Sequence, residues 1–245
     1  MTLRRRKLAR TKVSVSPEIV GASVLAAHNL LAHRVLRPPA DAGLNLISAA
    51  ALTALALRVG CTPGDLGLAR SDLSRGLRTG LVGAACCCSV IGAAAAVPST
   101  RRYFLDARLM NMSHKETLYH AVLRIPVATA LAEEVMFRSA LHAIFARKHR
   151  LPTTLTLTSL LFGMWHILPT LDAFEGNPIS SLSRSQRAAR AKTVLGIAGA
   201  TAGAGLFFSC LRLRSKSVAA PALSHAMVNF SAFLIGRALV ERTAP

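Results

Sequence analysis

Residues 118–146 read LYHAVLRIPVATALAEEVMFRSALHAIFA, and this stretch decides the fold. It is apolar over more than the roughly 20 residues that a helix needs to cross a bilayer. It nevertheless contains Glu133, Glu134 and Arg138. A charged side chain at the bilayer centre costs roughly 2.5 to 3.5 kcal/mol even on lenient insertion scales, so such residues normally face a polar interior. The stretch therefore predicts a membrane-spanning helix with a buried polar face.

The composition of the whole chain also indicates a membrane protein. Of its 245 residues, 52% are hydrophobic and 17% are charged, and the mean hydropathy is +0.42. This apolar excess is larger than a soluble domain of this length needs. We therefore predict an all-α, polytopic transmembrane helical bundle of about seven spans around a membrane-embedded polar cavity. The predicted spans lie near residues 18–36, 42–59, 78–97, 118–146, 152–170, 193–211 and 217–237.

The chain is predicted to form one membrane domain, because no internal repeat is visible and the connections are short. It divides into a basic cytoplasmic N-terminal segment (1–17), N-terminal transmembrane helices with an interfacial segment (18–117), and a helical core (118–237). The sequence Ser-Pro-Glu at 16–18 is typical of a helix start. It favours a retained first helix over a cleaved signal peptide.

The net charge of +19 does not indicate nucleic-acid binding, because nearly all basic side chains lie between the predicted spans. At these positions they act as topology signals, and the dense cluster in residues 1–17 favours a cytoplasmic N terminus. We expect an integral multi-pass membrane protein whose basic segments contact anionic lipid headgroups. Arg124 lies within a span, and we expect its side chain to snorkel to the membrane surface.

Of the three charged residues named above in the stretch 118–146, two can form an ion pair and the third is left without a partner. Glu134 and Arg138 stand four residues apart in the order that favours an ion pair on a helix. Glu133 points away from that pair at 100° per residue, and an unpaired carboxylate in an apolar setting suits a general base or acid. A salt-bridged, solvated helix face is the alternative interpretation, which the position inside a span disfavours.

Two later spans contain polar side chains at the same four-residue spacing. Phe162 and His166 share one helix face, and so do His225 and Asn229. An imidazole and an amide side by side can stabilise a developing oxyanion. The alternatives are a hydrogen-bonded core histidine for His166 and polar contacts between helices for His225 and Asn229.

Taken in order, these three motifs resemble the signature of the CPBP family, which comprises type II CAAX prenyl proteases and bacteriocin-immunity (Abi) proteins. The motifs are Glu133-Glu134-x-x-x-Arg138, Phe162-x-x-x-His166 and His225-x-x-x-Asn229. The resemblance extends over about residues 115 to 232. Residues 65–70, DLGLAR, look like a weaker family element ahead of a span.

The resemblance implies an intramembrane endopeptidase, in a bacterial plasma membrane, that cleaves a membrane-associated substrate. In the CAAX case that substrate is prenylated. Glu133 would activate a water molecule with His166 as its partner, while His225 and Asn229 would bind the carbonyl oxygen. Supporting roles would belong to Glu134, Arg138 and Phe162.

The sequence leaves metal dependence open. Glu133, His166 and His225 could also form a two-nitrogen, one-oxygen ligand set for a single divalent metal such as zinc, with an open position for water. No HExxH helix is present, however. Glutamate chemistry that requires no metal is therefore slightly favoured.

The sequence also leaves open two other functions and the formation of a homo-oligomer. A non-catalytic protein of the same fold would bind a partner in the membrane or act in immunity. An ion- or proton-coupled transporter would use the buried acids as a relay, but no inverted repeat is visible. Gly199 and Gly203 form a GxxxG pair that we expect to pack inside the bundle, with a homo-oligomer as the secondary interpretation.

Overall fold

The computed structural model describes residues 15–36, 40–176 and 187–243. Regular structure within these ranges is entirely helical, which confirms the all-α prediction. The predicted basic segment lies outside the described residues as far as residue 14. The main helices are α1 (Pro17–Arg34), α2 (Ala40–Arg58), α3 (Leu73–Ala96), α4 (114–146), α5 (Leu151–Trp165), α6 (Ile167–Gly176), α7 (Arg187–Ser215) and α8 (Ala219–Thr243). The connection after α3 contains the short helical turns Pro98–Arg101, Arg102–Phe104 and Ala107–Leu109.

Five helical stretches in the described part are long and apolar enough to cross a membrane. The other two predicted spans, near 18–36 and 118–146, fall on α1 and α4, which are helical but carry more polar side chains. The count of about seven therefore stays a prediction. The five stretches are Ala40–Arg58, Arg70–Ala96, Leu151–Ala173, Arg190–Ser215 and Ala219–Arg242.

The start of α4 is fixed by a capping box. The Ser113 hydroxyl accepts a hydrogen bond from the backbone N–H of Glu116, and the Glu116 carboxylate accepts one from the backbone N–H of Ser113. These two bonds satisfy N–H groups that a helix start otherwise leaves unpaired. The carboxylate also accepts from the Ser113 hydroxyl, and these hydrogen bonds, first that of the side chain, lower the pKa of Glu116.

The hydrogen bonding of α4 changes along its length. His120–Leu131 and Val135–Leu141 form wider π-type turns, and Ala132–Glu134 is the α-helical turn between them. Pro126 lies in the first wide segment, where it has no N–H to donate. Because i→i+5 turns contain more residues than α-helical turns, each residue of these segments rotates the chain by less than the usual 100°. The faces of α4 therefore differ from those of a regular α-helix.

Glycines of α3 allow this helix to pack closely against α8. A Cβ atom at Gly80 would lie 3.0 Å from the backbone oxygen of Ala220, and the Ser224 hydroxyl donates to the Gly80 carbonyl over 3.1 Å. In contrast, a Cβ at Gly199 or Gly203 would meet no atom of the described residues within 4 Å. The prediction that the GxxxG pair packs inside the bundle is wrong, because a sequence motif of small residues does not specify which helix face is covered.

Polar contacts gather the helix ends into two groups. At the basic end, Arg147 of α4 donates to the Gly60 carbonyl after α2, and Arg212 of α7 donates to the Asp65 carbonyl. Glu18, at the start of α1, lies 4.0 Å from Lys148 of the same group. At the opposite end, His33 and Arg34 at the end of α1 pair with Asp172 of α6, and Asp41 at the start of α2 pairs with Arg124 of α4.

Candidate active site

The three sequence motifs line one cavity of about 710 Å³. Glu133 reaches it from α4, His166 from the corner between α5 and α6, and His225 and Asn229 from α8. All four predicted catalytic residues are therefore neighbours of the same space. Glu133 is only 6% exposed, and its Oε2 atom has no hydrogen-bond partner among the described residues.

Glu134 connects two of the motifs. Its Oε1 atom accepts a hydrogen bond from Nη1 of Arg138 over 3.1 Å, so the predicted ion pair forms, and both side chains are buried. The same Oε1 atom lies 2.8 Å from Nδ1 of His225, which is also buried. Because an ionised carboxylate only accepts, the proton lies on Nδ1 and the Nε2 atom of His225 is left for other partners. Helical spacing could not predict this bond, which joins residues 91 positions apart.

His166 is held by a bond of the same kind. The α5 helix ends at Trp165, and the His166 Nδ1 atom lies 2.8 Å from the Phe162 carbonyl oxygen. A carbonyl also only accepts, so Nδ1 carries the proton and Nε2 is free. The Phe162 ring packs edge-on against the His166 ring at 4.5 Å between centroids, as the four-residue spacing predicts. The Thr170 hydroxyl donates to the His166 carbonyl over 2.6 Å and closes the corner.

Aromatic rings surround the buried guanidinium of Arg138. Its Cζ atom lies 3.9 Å from the centre of the Phe162 ring and 5.4 Å from that of Phe208. Ring faces attract cations, which offsets part of the cost of burying the charge. A Cβ at Gly205 would lie 2.9 Å from Nη2 of Arg138, so α7 approaches the guanidinium closely only because residue 205 is glycine.

Phe208 also contacts the catalytic side of this cluster. Its ring stacks on His225 with centroids 5.1 Å apart. Neither Phe208 nor Gly205 was predicted from the sequence. Their only signal was an aromatic residue beside a glycine-rich stretch of α7, which does not indicate a partner.

Five charged or titratable side chains line the cavity at the end of the helix bundle that lies opposite the basic end. We call them the mouth residues: His33, Asp41, Arg108, Arg124 and Asp172. Arg124 binds Asp41 through both terminal nitrogens, with Nη1 3.1 Å from Oδ1. This pairing was not predicted from the sequence, and the expectation that Arg124 snorkels to the membrane surface stays a prediction. The wide turns of α4 direct it to the cavity, where Asp41 supplies a partner.

The described residues contain no group of three or more His, Cys, Asp or Glu side chains that could hold a metal ion. Glu133, His166 and His225 share the cavity without forming such a group. The Nδ1 atoms of both histidines already have protein partners. Each ring keeps Nε2 for another ligand, as metal-bound histidines also do. Metal dependence therefore stays open, as it was from the sequence, and no step below depends on a metal.

Residues 115–231 match the model of a family described as type II CAAX prenyl endopeptidase Rce1-like. Over these residues the chain is similar to the Rce1-like family. The matched segment contains the three motifs and runs from the start of α4 into α8. No curated protein and no solved structure matches the chain. The Rce1-like family implies a protease, and together with the five apolar helices it indicates a membrane protein.

Proposed function

We propose that this Rce1-like protein is an intramembrane endopeptidase that uses Glu133 to activate water. Its substrate is a membrane-associated peptide or protein, in the narrow form a prenylated one of CAAX type. One observation supports this most directly: Glu133, a buried glutamate whose Oε2 atom has no hydrogen-bond partner among the described residues, lines a cavity that two imidazoles and an amide also line. An unpaired buried polar atom is costly, and catalytic sites are where such a cost is commonly retained.

The roles follow from the hydrogen bonds of each group. Glu133 removes a proton from a water molecule that is also held by Nε2 of His166, and the resulting hydroxide attacks the peptide carbonyl. The carbonyl oxygen becomes an oxyanion, which Asn229 and Nε2 of His225 stabilise as donors. When the tetrahedral intermediate collapses, the C–N bond breaks and Glu133 returns the proton to the leaving amine.

His225 can donate from Nε2 only as an imidazolium, because its Nδ1 proton is already directed at Glu134. The Glu134 carboxylate lies 2.8 Å from the ring and compensates that positive charge. Glu134 therefore orients His225 and balances its charge as well as pairing with Arg138. This explains why a buried site needs two adjacent glutamates.

The cavity is large enough for a peptide segment, since small-molecule sites commonly enclose about 300 to 1,000 Å³. Substrate and lipid are the expected partners, and nucleic acid is not. The proposed setting is a bacterial plasma membrane with the N terminus in the cytoplasm, in contact with anionic lipids. No metal is required in the proposed reaction, and a homo-oligomer remains a prediction.

The experiment is cleavage in proteoliposomes that contain the full chain. The substrate is a fluorogenic peptide with a farnesylated cysteine three residues from its C terminus. Glu133→Gln should lower kcat/KM by about 10² to 10⁴-fold, the range of a lost general base. Glu116→Gln is the matched control, since Glu116 lies on the same helix but is exposed in the capping box.

Folding of each variant is checked by its elution from size exclusion in mild detergent. Full cleavage by Glu133→Gln would contradict the proposed role of Glu133. Wild-type protein that binds the peptide but never cleaves it would favour the non-catalytic function, and vesicle flux without cleavage would favour transport.

A further inference from the structure

Arg124 and Glu133 line the same cavity from one helix, although they are nine positions apart. In a regular α-helix nine positions correspond to about two and a half turns, which would place the two side chains on opposite faces. The wider turns of His120–Leu131 rotate less per residue and bring both to the cavity. The irregular hydrogen bonding of α4 therefore creates a cationic group and a carboxylate on one wall.

Asp41 holds Arg124 in a fixed orientation without using all of its donors. Nη1 and Nη2 each donate to one oxygen of Asp41. A guanidinium has five N–H donors, so three are left. Both side chains are about one-fifth exposed, at the mouth rather than in the sealed interior. Arg124 thus has the geometry of a preoriented anion-binding side chain.

The spacing between the two groups matches a short peptide. Nine residues of helix rise by at most about 13 Å, and less where the turns are wide. Three extended residues span about 10 to 11 Å. A peptide bond placed at Glu133 would therefore direct a C-terminal carboxylate, three residues further on, towards Arg124. Arginine is well suited to carboxylates because its fork donates two parallel hydrogen bonds.

We propose that Arg124 binds the α-carboxylate of the substrate and so fixes how far the scissile bond lies from the C terminus. This inference rests on the proposed endopeptidase function. Arg124 would be a specificity-determining residue, whereas Glu133 acts on the reacting atoms. Substrate selection would then depend on a free chain end as well as on the membrane anchor.

Arg108 provides a matched comparison on the same cavity. Its Nε and Nη2 atoms both donate to Asp106, two residues away, and its side chain is 58% exposed. It is therefore more solvated than Arg124, and it is not on the helix that carries Glu133. The assignment to Arg124 depends on position and not merely on the presence of positive charge.

The test compares two farnesylated peptides that differ only in a C-terminal carboxylate or carboxamide, in proteoliposomes containing the full chain. In the wild type, amidation should lower kcat/KM about ten- to a hundredfold, the effect of losing a hydrogen-bonded charge pair. In Arg124→Gln the two peptides should be cleaved at nearly equal rates, while Arg108→Gln should keep the preference. If Arg124→Gln does not fold because Asp41 has lost its partner, the double variant Arg124→Gln/Asp41→Asn, which removes that carboxylate, replaces it in the test.

The outcomes separate this inference from the proposed function. Equal cleavage of both peptides by the wild type, with loss of cleavage in Glu133→Gln, would overturn the role of Arg124 and leave the endopeptidase intact. A preference that survives in both Arg124 variants would also overturn it. If the wild type cleaves neither peptide, the proposed function fails and the inference fails with it.

Discussion

Replacing Glu134 by leucine tests whether this carboxylate serves stability, catalysis or both. The substitution removes the acceptor shared by Arg138 and His225 and leaves a guanidinium whose side chain is 1% exposed without its counter-charge. Breaking a buried ion pair from one side costs about 3 to 5 kcal/mol. We expect the free energy of unfolding in detergent, measured with urea, to fall by about that amount.

The companion variant Glu134→Leu/Arg138→Met separates the two roles. Methionine keeps an unbranched side chain against the Phe162 ring, where the Arg138 Cζ atom lies 3.9 Å from the centroid. Without the unpaired charge, most of the lost stability should return, apart from about 1 to 3 kcal/mol for the unpaired Nδ1 of His225. Cleavage should nevertheless stay at least about tenfold low, mainly in kcat, because the ring of His225 is no longer oriented.

The decisive measurement is kcat of the double variant at temperatures where it is fully folded. Recovery of both stability and wild-type kcat would refute the idea that Glu134 orients His225. It would reduce Glu134 to a structural partner of Arg138.

Two further predictions concern positions outside the catalytic residues. Gly205→Ala should lower the free energy of unfolding by about 1 to 3 kcal/mol, because its Cβ would lie 2.9 Å from Nη2 of Arg138. Gly203→Ala is the control: its Cβ would meet no atom of the described residues within 4 Å, so this variant should be unchanged or stabilised by up to about 1 kcal/mol. Equal effects at the two glycines would contradict the packing argument. The turn before α3 should be less stable in acid. The Asp65 carboxylate accepts hydrogen bonds from the backbone N–H and the hydroxyl of Thr62, and these bonds, the backbone one most, lower the pKa of Asp65 below 3.8 in the folded state. The stability that this turn contributes is present above pH 3.8 and is lost as the pH falls through the pKa of Asp65 in the folded state. Amide hydrogen exchange at Thr62 should therefore accelerate over that pH range. The variant Asp65→Asn should remove this pH dependence.

The structural features that could be predicted from the sequence are those that depend on the spacing of residues close together in the chain. The four-residue separation of Glu134 and Arg138 correctly predicted their ion pair, and Ser113 with Glu116 correctly predicted a helix start. The apolar runs correctly indicated helices in the described residues. Each of these features depends on contacts within one or two helical turns.

Features that join distant segments could not be predicted in this way. The bond from Glu134 to His225 requires the relative placement of α4 and α8, and periodicity defines a face without naming what lies against it. The pairing of Arg124 with Asp41 was missed for the same reason, because it joins residues 83 positions apart on different helices. The packing prediction for Gly199 and Gly203 was wrong because small residues do not show which face of a helix is covered: on the same helix it is Gly205 that lies against Arg138.

The mouth residues and the basic end lie at opposite ends of the same helices, and this links orientation to the compartment that supplies the substrate. α1 begins beside Lys148, and its last turn contains His33, which lies at the cavity mouth. With a cytoplasmic N terminus, the mouth therefore opens away from the cytoplasm, and peptide ends must be presented on the outer side. A substrate released from cytoplasmic prenylation would require the inverse insertion. The side of the membrane from which an impermeant reagent labels the mouth residues would therefore show on which side substrates can enter the cavity.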